Sequence, residues 1–65
     1  MKHKVYAYKK RTSSRTTYGI IKASCVFRAA LRLVKNPVNT DVDVIAHKFT
    51  YANHKGHNVT LHTLG

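Results

Sequence analysis

Acidic residues are nearly missing from this 65-residue chain, which holds two, Asp41 and Asp43, and no glutamate. Paired-carboxylate catalysis needs two acids held across a substrate, and two acids in one short connector do not supply that arrangement. Cysteine occurs once, at Cys25. An intrachain disulfide is therefore excluded, and with it the disulfide-stapled secreted class. A structural zinc site would also lack its usual paired thiolates. The three glycines are scattered at 19, 56 and 65, so there is no glycine-rich phosphate loop. No apolar run approaches the ~20 residues needed to span a bilayer.

The start of the chain has no apolar stretch of the secretory kind, because Lys and Tyr alternate there. Its acid-free, Arg/Ser-containing character is similar to an organelle transit peptide. The strand-like alternation of Val5, Tyr6, Ala7 and Tyr8 argues instead for folded structure. The expected location is the cytoplasm, the nucleus if the source is eukaryotic, or the host cytoplasm if the chain is phage-encoded.

What the chain has in excess is positive charge: 12 Lys plus Arg, for a formal net charge of +10 with histidines neutral. Residues 1–40 contain Lys2, Lys4, Lys9, Lys10, Arg11, Arg15, Lys22, Arg28, Arg32 and Lys35 with no carboxylate side chain among them. Surface cations are ordinarily solvated or paired at little gain. Here the pairing partners run out, and the self-repulsion weakens a domain whose core is small. A polyanion would remove that repulsion and release counterions. Nucleic acid, DNA or RNA, is the leading partner, with an acidic host protein as the alternative. A homodimer sharing apolar surface would enlarge the core, but nothing in the sequence requires one.

Hydrophobic residues make up 43% of the chain, enough for one packed domain. Lys2–Lys10 reads as a strand, Arg11–Thr17 as a flexible basic hairpin loop, and Tyr18–Ala23 as a second strand. Gly19 marks a bulge or a close backbone approach. Ser24 suits a helix N-cap, followed by a helix over Cys25–Asn36. Its apolar stripe is Phe27, Ala30, Leu31 and Val34, and Asn36-Pro37 ends it. Asn36–Asp41 reads as a connector, and Val42–Ala52 as a third strand. That strand alternates Ile45, His47, Phe49 and Tyr51 against Val44, Ala46, Lys48 and Thr50. Asn53–Gly56 is a turn and His57–Leu64 the last strand. The expectation is a small single α+β domain of β-β-α-β-β order, a twisted antiparallel sheet with one helix packed on one face and the other face open.

The candidate site residues follow from this layout. Lys9, Lys10, Arg11, Ser13, Ser14 and Arg15 gather cations and hydroxyl donors at a hairpin tip, the groups that contact phosphate oxygens. Arg28, Arg32 and Lys35 form a helical stripe of like charges with no glutamate to relieve it. The helix dipole favours the last two and disfavours Arg28. Lys4, Lys48 and Lys55 add charge on strands and the last turn. Tyr6 and Tyr8 share a strand face with Lys4 and Lys10. If Val5 and Ala7 face the helix, those tyrosines lie on the open face as base-stacking platforms. If the tyrosines are core, as strand aromatics more often are, that role disappears.

Five histidines (His3, His47, His54, His57, His62) would add positive charge in acid. No metal and no cofactor is expected, since four ligands with paired cysteines are missing. Cys25 near a helix start is read as a small packed residue rather than a nucleophile. The chain is expected to be non-enzymatic.

The opening strand, basic loop, strand and helix resemble the small arm-type DNA-binding domains of phage-like integrases over about half the chain. That resemblance implies a short sheet entering the major groove with a helix packed behind it. The stretches KVYAY, IIKAS and RAALRL are also similar to small phage inhibitors of host RNA polymerase. The chain departs from those in lacking their acidic residues. The resemblance implies a regulator docking on a host protein such as RNA polymerase or a nucleoid protein.

Overall fold

The computed structural model describes residues 3–43 and 47–64. Within them lie strands β1 (Lys4–Arg11) and β2 (Thr16–Ala23), helix α1 (Val26–Leu33), and strands β3 (Val38–Asp43), β4 (Lys48–Ala52) and β5 (Asn58–Leu64). The strands form one antiparallel sheet in the order β2-β1-β5-β4-β3. The helix packs against β1, β2 and β5, which is the expected α+β arrangement.

The strand expected over Val42–Ala52 is divided. His47 has a left-handed backbone, φ 52°, immediately before β4, a conformation that interrupts a strand for any side chain with a Cβ. β3 reaches back through Val38–Thr40, a stretch expected to be a connector. The Pro37 and Asn36 signals are real but belong to the preceding turn, where Asn36 adopts φ 50°. Proline just before a strand removes no ladder hydrogen bond. The expected alternation at Val44, Ile45 and Ala46 lies outside the described residues. Phe49 and Tyr51 do share the helix side, while Lys48 is exposed.

Helix α1 is shorter than expected and turned on its axis. Ala29, Ala30 and Val34 are its buried positions, with Val26 and Leu33 packed beside them. Phe27 and Leu31 are left 46% and 42% exposed, so the expected stripe is shifted by about one position. The reason is steric. Tyr6 and Tyr51 rise from the sheet with 3% exposure each, and the small alanines give their rings space. Phe27 meets Tyr51 edge to face, with ring centroids 6.1 Å apart. The N-cap is Cys25 rather than Ser24; it has extended backbone and provides no side-chain cap. Val34, also extended, closes the other end, its N–H donating to the Ala30 carbonyl at 2.8 Å.

Leu61 and Val59 on β5 are fully buried, which places the core between the middle of the sheet and the helix. Gly19 pairs with Tyr8 without a bulge. A Cβ at Gly19 would lie 2.6 Å from the Tyr8 hydroxyl oxygen, so the ring lies directly over the glycine. The expected close approach is therefore observed, and its cause is a side chain on the next strand.

Candidate nucleic-acid interface

Two hairpin tips meet at one end of the sheet. The β1–β2 loop, Thr12–Arg15, is closed by hydrogen bonds between its first and last residues. Thr12 N–H and Oγ1 both donate to the Arg15 carbonyl, at 2.9 and 3.0 Å, and Arg15 N–H donates back to Thr12 Oγ1 at 3.2 Å. The β4–β5 turn is organised by Asn53. Its Oδ1 accepts from the N–H groups of Lys55 and His57, at 2.9 and 3.0 Å, and Gly56 takes φ 79°, the left-handed conformation that costs glycine nothing. Because β1 pairs with β5 and sets Arg11 opposite Asn58, these tips are neighbours. Arg11, Thr12, Ser13, Lys55, Gly56, His57 and Asn58 line a shallow cleft of about 460 Å³ between them. Cations, hydroxyls and turn backbone converge there, the donor set that holds phosphate oxygens.

Among the described residues, the sheet face away from the helix is open. Antiparallel register places directly opposed residues on the same face, so Tyr18, Lys9, Thr60 and Thr50 form one row across the sheet. Ile20, Ala7, His62 and Lys48 form the next. Tyr18 and Ile20 are 71% and 69% exposed. Ala7 is the smallest side chain among them and leaves a dip between β2 and β5. A depression of about 350 Å³ there is bordered by Lys9, Tyr18, Lys48, Thr60 and His62.

The third group of cations lies along the helix. Arg32 donates from Nη1 to the Lys22 carbonyl on edge strand β2 at 3.0 Å, so it tethers the helix to the sheet as well as carrying charge. Arg28 lines a hollow with His3, Ser24, Leu31 and Arg32, near the helix N-terminus where no acid relieves it. Lys35 is exposed just past the helix, towards the hairpin-tip end.

Of the residues singled out in the sequence, Arg11, Ser13 and Lys55 are brought together in the cleft. Ser14 and Arg15 are exposed beside it, and Lys10 is half-buried on the helix side. Lys9 and Lys48 share the open face. Lys4 stands apart, lining a cleft of about 630 Å³ with Tyr6, Cys25, Val26, His47, Phe49 and Thr63.

No protein-family model matches the chain, and no curated protein or solved structure matches it.

Base stacking on Tyr6 and Tyr8 requires correction. Tyr6 is a core residue and Tyr8 packs against the core, so both rings face the helix. Burial holds the Tyr6 and Tyr51 hydroxyls above the ordinary tyrosine pKa, with the nearby Cys25 thiol adding a smaller push. The exposed aromatic is Tyr18, which sequence reasoning passed over. Its alternation was legible, Tyr18 and Ile20 against Gly19 and Ile21, but a period of two does not say which set faces the helix. Cys25 is exposed rather than packed. Among the described residues no group of three His, Cys, Asp or Glu is arranged to hold a metal ion. No described helix is long and apolar enough to cross a membrane.

Proposed function

We propose that this chain is a small, non-enzymatic nucleic-acid-binding protein of low sequence specificity. The observation that carries the reading is the cleft where two hairpin tips bring Arg11, Ser13 and Lys55 together, in a chain whose net charge of +10 has almost no internal counterweight. Phosphate contacts there and along the sheet would position the polynucleotide, and such contacts carry no sequence information. Titrating labelled duplex DNA, single-stranded DNA and structured RNA at several salt concentrations tests this. Submicromolar binding at physiological salt, weakening steeply as salt rises, is the expected result.

A second reading has its own support. Phe27 and Leu31 stand one turn apart and exposed on the helix, flanked by Arg28 and Arg32. This face would suit an acidic surface of a host protein on which the chain docks as a regulator. Nucleic-acid binding that is indiscriminate and lost near physiological salt would transfer the function to that reading.

A further inference from the structure

We infer that the open face of the sheet is a stacking platform for a single-stranded polynucleotide, with Tyr18 as the base-stacking residue and Lys9 and Lys48 as its phosphate contacts; this rests on the nucleic-acid reading above. The largest exposed aromatic surface in the described structure is Tyr18, at 71%, with Ile20 two residues along at 69%. Both project from β2 onto the face that no described helix covers. Phosphate binding alone does not use an exposed ring and an exposed isoleucine. An unpaired base does, because it offers an apolar π-face that a duplex keeps inside its own stack.

The surroundings of Tyr18 fit the same ligand. Lys9 is its cross-strand neighbour, and Lys48 and His62 stand across the Ala7 dip. From β2 to β4 the face spans about 14 Å at ~4.8 Å per strand, room for a base stacked on Tyr18 and for the backbone on either side of it. The rows end at Arg11 on β1 and Asn58 on β5, which also line the hairpin-tip cleft. A strand stacked on Tyr18 therefore has a continuous basic path into that cleft. The platform is also braced from behind. Tyr8 covers Gly19 on the opposite side of β2, which steadies the backbone between Tyr18 and Ile20.

Charge argues against a second copy of the chain as the occupant. A two-fold contact sets this patch against its own copy, which would gather Lys9, Lys22 and Lys48 of two chains, each of net charge +10. Only Asp41 and Asp43, the register partners of Thr50 and Lys48, stand beside them as counter-charges.

The test compares the unmodified protein with Tyr18→Ala, Tyr18→Leu and Tyr18→Phe. The probes are fluorescein-labelled oligo-dT and oligo-rU of twelve nucleotides and a twelve-base-pair duplex. The single strands are expected to bind more tightly than the duplex. Tyr18→Ala and Tyr18→Leu should weaken single-strand binding by about five- to 150-fold and change duplex binding less than twofold, while Tyr18→Phe retains affinity. With four tyrosines and no tryptophan, intrinsic tyrosine emission should quench on oligo-dT addition, and less so in Tyr18→Phe. Single-strand affinity unchanged in Tyr18→Ala, with nucleic acid still bound, would overturn the platform and leave the nucleic-acid reading intact. Failure to bind any of the three probes would overturn both. Sedimentation showing a dimer that Tyr18→Ala dissolves, with all probes affected equally, would assign the face to a second copy and overturn the inference.

Discussion

Removing two cations from the hairpin-tip cleft gives a quantitative test of how the charge is used. Arg11 and Lys55 come from segments more than forty positions apart and meet only because β1 pairs with β5. With Lys9, Lys22 and Lys48 on the open face, five cations can meet one strand. Each neutralised phosphate contributes ~0.7 to the slope of log affinity against log salt for a single strand. Five contacts give a slope of about −3.5, an affinity loss of roughly a hundredfold between 50 and 200 mM salt. Arg11→Ala with Lys55→Ala leaves three contacts, a slope of about −2.1 and a loss of roughly twentyfold over the same range. Fluorescence anisotropy on oligo-dT at four or more salt concentrations measures both slopes. Circular dichroism of the double variant should match the unmodified protein, since both side chains leave the core untouched. A slope unchanged by the double substitution, in a folded protein, would refute the assignment of phosphates to this cleft.

Three further outcomes concern the fold that holds the interface. Leu61→Ala removes a fully buried side chain from the middle of the sheet and should cost about 2–5 kcal/mol. Total stability near 0.05–0.15 kcal/mol per residue makes this chain worth roughly 3–10 kcal/mol, so urea denaturation should show a severely destabilised or unfolded variant. Cys25→Ser supplies the missing N-cap acceptor at a position whose backbone is already extended; a gain of about 0.5–1 kcal/mol, a few degrees in Tm, is expected by thermal melting. Burial raises the pKa of Tyr6 and Tyr51, so in strong alkali the unfolded chain ionises first. Their contribution is intact below the unfolded tyrosine pKa, near 10, and is lost as pH rises through the higher folded values. Thermal melts from pH 8 to 11 should show this decline, and Tyr6→Phe with Tyr51→Phe should flatten it.

Local signals were sufficient for several elements. The basic loop and the Asn53–Gly56 turn were legible from residues that act within four positions of themselves, and the helix was legible as to type and place. Helix orientation was not: Phe27, Ala30, Leu31 and Val34 and the stripe around Ala29 and Ala30 are both periodic. The choice between them came from the tyrosine rings below. The split of the expected third strand was hidden because Val42–Ala52 is rich in β-branched and aromatic residues on both sides of the break, and the left-handed backbone of His47 just before β4 has no signature in that pattern.

The sequence alone determined the two strands before the helix, the helix itself and the last strand, the absence of an intrachain disulfide, and a charge of one sign with only two carboxylate side chains to answer it, because propensity and charge are properties of residues and their near neighbours. Tertiary structure decided which face of each strand is interior. A period of two separates Tyr6 and Tyr8 from Val5 and Ala7 but carries no sign, and the sign is set by where the helix packs. Tertiary structure also decided which loops meet, since the pairing of β1 with β5 joins the chain's opposite ends. The interface depends on both of those choices: the helix side took Tyr6 and Tyr8 into the core, left Tyr18 outside, and the strand order brought Lys55 to Arg11.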